Sequence, residues 1–155
     1  MIISIDPSSK ACGIAIFNVK KLTQCMVIKS NKGNFIQNTN IITKKIKQII
    51  TMYSKNETVV IMEYPEYWGC HIGQQARESS AITKLHFTCG AIWQISHDNC
   101  KNFIIITPSE WKGQLPKQIV RTRIMPFYPK HITSITDHNI IDAIGIGHYY
   151  IYGKI

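Results

Sequence analysis

Three carboxylates stand in apolar surroundings. Asp6 ends the run Met1-Ile-Ile-Ser-Ile-Asp6, Glu63 ends Thr58-Val-Val-Ile-Met-Glu63, and Asp142 lies inside Asn139-Ile-Ile-Asp142-Ala-Ile-Gly-Ile-Gly147. The chain has only nine acidic residues, so placing three of them in its most hydrophobic stretches does little for solubility. An isolated buried carboxylate is costly and persists by protonation, by pairing or by coordinating a metal. Carboxylates brought together from strand ends and a helix suit a hard, oxygen-preferring cation such as Mg²⁺. The chemistry they point to is metal-assisted.

The pattern of the chain supplies the elements that must hold these groups. Residues 1–6 and 11–19 read as strands joined by the turn Pro7-Ser-Ser-Lys10, and 22–29 supplies a third strand of an antiparallel meander. From Thr39 to Tyr53, Ile42, Ile46, Ile49, Ile50 and Tyr53 recur at helical spacing, with Lys44, Lys45 and Lys47 on a solvated face. Residues 57–63 form a strand buried on both faces and parallel to the first. A second long helix is predicted over 79–97, a buried strand over 103–106, a short helix from Thr107 and a further one over 115–127. A final helix runs from Asp137 to Tyr150. This order predicts an α/β fold with a central mixed five-stranded sheet, three strands antiparallel and two parallel, and helices on both faces. Asp6 and Glu63 then end neighbouring strands at one rim, where ligand sites of such sheets concentrate, and the last helix delivers Asp142 between them.

At 155 residues, with 45% hydrophobic and 17% charged residues, the chain fits a single folded domain spanning 1–155. No apolar run approaches the roughly 20 residues of a membrane-spanning helix. The N-terminus reads directly as a strand without a basic leader, so the expectation is a protein that is not secreted. It would act in the cytoplasm of a bacterium or of a phage- or virus-infected cell. Five cysteines (Cys12, Cys25, Cys70, Cys89, Cys100) form an odd set without a CxxC pair, which argues against a disulfide framework or zinc ribbon. Eighteen basic residues against nine acidic ones give +9 and a pI near 9.4. Such a field favours a polyanion, nucleic acid first among them.

With these motifs in place, the chain resembles the RuvC-type Holliday-junction resolvases of the RNase H-like superfamily. Ile5-Asp6-Pro-Ser, Ile61-Met-Glu63-Tyr-Pro65 and Asp137-His-Asn139-Ile-Ile-Asp142-Ala143 carry the likeness. Leu85 to Gly90 with Ala91, Pro108-Ser-Glu-Trp-Lys112 and Lys117 extend it along most of the chain. The resemblance implies a Mg²⁺-dependent, structure-selective endonuclease that resolves four-way DNA junctions as a homodimer making paired nicks. It implies two Mg²⁺ per site, with Mn²⁺ an alternative: Asp6 bridging, Glu63 on one ion and Asp142 on the other. Carboxylates hold such ions because hydrolysis of a phosphodiester needs an activated water and relief of charge on the leaving oxygen.

The sequence departs from the family at the fourth ligand, where an acid or histidine is common and this chain has Asn139. Asn139 shares a helical face with Asp142, and its amide carbonyl can ligate Mg²⁺ without adding charge. His138 is the competing candidate, with Asp137 a further substitute. Lys112 and Lys117 fall where the family places ammonium groups near the scissile phosphate, and Lys117 is taken as catalytic. Arg121 and Arg123 are candidate phosphate contacts. Tyr67 and Trp68 stand where the family stacks an aromatic on junction bases, and Ser8, Ser9 and Lys10 follow the first acid within reach of substrate phosphate. Glu66 reads as a solvated acid, and Trp93 and Trp111 as packing residues. A broader branched-DNA or RNA nuclease and a catalytically weak junction-binding protein remain as alternatives. A piece of the actin-like ATPase fold would need two lobes and a second phosphate loop, more than this length supplies.

Overall fold

In the computed structural model, residues 1–31, 33–53, 57–66, 80–100, 102–129, 135 and 137–155 are described. Strands β1 (Ile2–Asp6), β2 (Ala11–Asn18) and β3 (Lys21–Lys29) precede α1 (Phe35–Tyr53). There follow β4 (Val59–Glu63), α2 (Ala81–Asn99) and β5 (Asn102–Ile106), then α3 (Pro108–Trp111), α4 (Lys117–Ile124) and α5 (His138–Tyr152). The sheet runs β3-β2-β1-β4-β5. β1 and β2 pair antiparallel, as do β2 and β3, while β4 lies parallel to β1 and β5 parallel to β4. This is the mixed five-stranded sheet that the sequence predicts.

The two-residue period of the strands divides the core into two layers. Ile3 and Ile5 of β1, Cys12, Ile14 and Ile16 of β2, and Val60 and Met62 of β4 meet Ile42, Ile46 and Ile50 of α1 and Cys89 and Ile92 of α2. The alternate positions Ala15, Phe17 and Ile61 turn to the opposite layer, against Trp111, Val120, Ile124, Ile141 and Ile144. Each fully buried Ile contributes roughly 1.5–3 kcal/mol over leaving it exposed, so shifting β1 by one residue would forfeit both layers at once.

α5 lies unusually close to the sheet because two positions lack a side chain. A Cβ on Gly13 would sit 1.9 Å from the Asn139 carbonyl oxygen, and one on Gly147 would sit 2.2 Å from Phe17 Cε2. Ser4 Oγ donates to the Ala143 carbonyl at 2.6 Å, tying the helix to β1. Asp137 caps its start, accepting from Asn139 N, and Gly153 ends it in the left-handed region at φ +72°.

The boundaries differ in instructive places. α1 begins at Phe35, not Thr39, because Asn34 and Gln37 form a reciprocal cap. Gln37 N donates to Asn34 Oδ1 at 3.0 Å and Asn34 N to Gln37 Oε1 at 3.1 Å. The helix predicted over 115–127 resolves into α4 and a 3-10 turn over Met125–Phe127 that contains Pro126. Among the described residues, no helix is long and apolar enough to cross a membrane.

Candidate active site

The site follows from strand parity. Ile5 is in register with Met62 across the parallel β1–β4 pair, so Asp6 and Glu63 leave the sheet at the same level. Both share the parity of Ile61 and Ser4, the residues that face α5, so both carboxylates point into the layer of α3, α4 and α5. Asp142, 3% exposed, enters from α5. The three acids of the sequence reading therefore converge on one rim.

Their electrostatics are those of a site built for positive charge. Burial, and then the fields of Glu63 and Asp142, push the Asp6 carboxyl well above its ordinary value, against the smaller opposing pull of Lys112 and Lys117. Asp142 Oδ2 meets Lys117 Nζ at 3.2 Å, while its Oδ1 is buried without a hydrogen-bond partner. Glu63 Oε2 accepts from Trp111 Nε1 at 2.6 Å and lies 3.4 Å from Lys112 Nζ. Burial alone would lower the Lys117 ammonium, but Asp142, Asp6 and Glu63 outweigh it and raise the net value. Lys112 and Lys117, predicted to face phosphate, are thus the counter-ions of the acids.

Three carboxylates against two ammoniums leave one negative charge uncompensated, in a setting that already disfavours ionised Asp6. Among the described residues, no three acid, histidine or cysteine side chains stand close enough to grip one ion. Glu63 and Asp142 are each drawn onto a lysine instead. The donor chemistry nevertheless fits a hard divalent cation: oxygen ligands, excess negative charge, and an orphaned buried oxygen on Asp142.

Asn139 lies against Gly13, the register partner of Asp6. Its Nδ2 donates to Asp137 Oδ1 at 3.1 Å, leaving the amide carbonyl, the atom a cation would use, outside that bond. His138 is exposed at the first position of α5. Asp137 is committed elsewhere, as the cap of α5 and as the partner of Lys29 at 3.3 Å. Burial would raise its carboxyl, but the Asn139 amide and Lys29 overcome this and lower it.

The remaining candidates divide. Ser8 Oγ accepts from the main-chain N of Lys10 and Ala11, both at 3.3 Å, and so shapes the turn after Asp6, where Lys10 is exposed. Arg121 Nη1 donates to the Ile135 carbonyl at 2.7 Å and Arg123 Nη1 to the Ile155 carbonyl at 3.0 Å, so both guanidiniums tie down main chain. Tyr67 and Trp68 lie outside the described residues. Glu66 is not simply solvated: it accepts from Ser109 N at 3.1 Å and Ser109 Oγ at 2.7 Å, satisfying a free amide in the first turn of α3. Trp93, expected to pack, is 41% exposed on α2.

Sequence reasoning missed one site residue, since it took Trp111 for packing alone. The indole is 2% exposed, and a buried indole N–H requires an acceptor. That requirement was the available signal, and the acceptor is Glu63.

Comparison with solved structures places the architecture. The chain is similar to a Thermus thermophilus RuvC structure at 14% identity and a TM-score of 0.71, covering 98% of this chain and 96% of that one. It is likewise similar to T. thermophilus RuvC in complex with Holliday junction substrate, at 14% identity and a TM-score of 0.69, covering 98% and 95%. The fold is therefore of the RuvC type, an RNase H-like α/β arrangement. No protein-family model matches the sequence, and no curated protein matches it.

Proposed function

We propose that this protein is a divalent-metal-dependent endonuclease that resolves four-way DNA junctions. The observation that carries the reading is the convergence of Asp6, Glu63 and Asp142 on one rim, with two lysines among them, in a RuvC-type fold. The similar T. thermophilus RuvC was solved with Holliday junction substrate, and a net charge of +9 suits such a polyanion.

Asp6, Glu63 and Asp142 would hold the ions, with Asn139 or His138 as the fourth ligand. When bound, Mg²⁺ or Mn²⁺ supplies an activated water and charge relief at the leaving oxygen. The chain's own contribution is electrostatic. Lys112 and Lys117, which stand among the three acids, would present positive charge to the scissile phosphate and its developing charge. Ser8 and Lys10 border the same rim, and Arg121 and Arg123 extend the positive field along α4.

Paired nicks require two sites, and two-fold symmetry matches protein to junction. A homodimer through α2 is supported by the exposure of Phe87 (52%), Trp93 (41%) and nearby Ile36 (55%). Phe87 stacks edge-on against Phe35 of α1 at 5.3 Å, and Gly90 between Phe87 and Trp93 leaves open space where a Cβ would stand.

A panel of labelled four-way junction, flap, duplex and RNA–DNA hybrid, each with Mg²⁺ or EDTA, tests this reading. Symmetric metal-dependent nicks confined to the junction support it, and equal cutting of flaps or hybrids would move the assignment to a broader nuclease. A second reading, a junction-binding protein with weak catalysis, is favoured by one observation, the pairing of Glu63 with Lys112 and of Asp142 with Lys117. Tight junction binding without nicking under several divalent ions would select it.

A further inference from the structure

We propose that Trp111 is a positioning residue: the indole held between Glu63 and Gly145 fixes which oxygen of Glu63 is presented to a cation and how far β4 stands from α5. The proposal rests on the reading of Glu63 as a metal ligand. Trp111 Nε1 donates to Glu63 Oε2 at 2.6 Å, a short contact for an N–H donor. Lys112 Nζ approaches the same oxygen at 3.4 Å and lies 4.5 Å from the Trp111 ring centroid, so the ammonium rests on the indole that orients it. Both donors act on Oε2, which leaves Oε1 to serve as the ligand atom and favours one-oxygen coordination.

The indole is also a spacer. A Cβ on Gly145 would stand 2.6 Å from Trp111 Cζ3 and 3.3 Å from Val120 Cγ1, so the ring is seated directly on the α5 backbone. Gly145 and Asp142 are three residues apart and share a helical face. One rigid side chain therefore spans from the Glu63 carboxylate to the helix that carries Asp142.

Its own support is fixed at both ends. Thr107 N donates to Glu110 Oε2 at 2.6 Å in a capping box. Glu66, three residues past Glu63 at the end of β4, accepts from both N and Oγ of Ser109. α3 is thus tied to the segment that leaves Glu63, and Trp111 closes the loop between them.

The test is a Mn²⁺ titration of the full chain by calorimetry, without DNA, on wild type, Trp111→Phe and Glu63→Gln. Phenylalanine keeps a ring against Gly145 but removes the donor. Loss of such an outer partner typically weakens metal binding by about 10-fold or more, and that weakening is expected with cooperative melting retained. Wild-type affinity in Trp111→Phe, with binding lost in Glu63→Gln, would overturn the positioning role and leave the ligand reading intact. Wild-type affinity in Glu63→Gln would overturn both. If Trp111→Phe does not fold, a chain with Trp68 and Trp93 replaced by Phe leaves a single indole for ¹⁵N NMR. Its N–H signal is expected to move on Mg²⁺ addition and on Glu63→Gln, and an unmoved signal would overturn the proposal.

Discussion

Lys117 Nζ stands 3.2 Å from Asp142 Oδ2, an ammonium of α4 docked on a carboxylate of α5. The other oxygen of that carboxylate is buried without a partner. The pair spans the two elements that flank the candidate site, and it holds a positive charge where the proposed chemistry would place a cation.

Replacing Lys117 by Gln should therefore expose the need for a cation. Breaking a fully buried ion pair costs about 3–5 kcal/mol, but the Lys117 side chain is 57% exposed, and screening brings the expected loss to about 1 kcal/mol. Chemical denaturation in metal-free buffer measures it. Mg²⁺ should stabilise Lys117→Gln more than wild type, because no internal ammonium competes for Asp142. The same variant should cut junctions more slowly and show a salt slope for junction binding that is shallower by about one unit.

Asp6 makes the stability of the metal-free protein depend on pH in a defined direction. Burial, then Glu63 and Asp142, hold its carboxyl well above the ordinary 3.8, so the folded state binds the proton more tightly than the unfolded chain. That stability is complete below 3.8 and is lost as pH rises through the raised folded value. Asp6→Asn carries no such charge. Its melting temperature should exceed that of wild type at neutral pH, by about 2–4 °C for each kcal/mol relieved, and the gap should widen as pH rises from 4. Calorimetry in EDTA measures the gap, and one that is constant or narrows with pH would contradict this account of Asp6.

The exposed face of α2 gives a prediction about assembly. Phe87 and Trp93 are 52% and 41% exposed, and the double substitution Phe87→Glu, Trp93→Glu places like charges on both copies of a symmetric contact. Sedimentation velocity should show a dimer for wild type and a monomer for the variant, with melting temperature little changed. A monomeric wild type would remove the basis for paired nicking.

Much of this architecture was legible in the order of residues. The apolar runs Ile2–Asp6 and Val59–Glu63, each ending on an acid, placed both carboxylates at one rim of the sheet, and the register of the parallel pair puts them on one face. The start of α1 was misplaced because Asn34 and Gln37 cap it locally, a polar signal that hydrophobic periodicity does not register. The partners of Arg121 and Arg123 were not legible: both are main-chain carbonyls, at Ile135 and Ile155, which carry no side-chain signature. Lys112 and Lys117 were found as basic residues near the site, but their pairing with Glu63 and Asp142 is set by how α3 and α4 pack, not by spacing. Trp93 was misjudged because a tryptophan at helical spacing looks the same whether it packs inward or lies on a face open to another chain.

We read Asp6, with Glu63 and Asp142, as a metal-dependent phosphodiesterase site. The most direct measurement is cleavage of a labelled four-way junction by wild type and Asp6→Asn, with Mg²⁺ and with EDTA, alongside junction binding by gel shift. Wild type is expected to nick in Mg²⁺ alone, and Asp6→Asn not to nick at all even though it binds the junction as tightly or more tightly. Nicking by Asp6→Asn at the wild-type rate, or wild-type nicking that persists in EDTA, would contradict it.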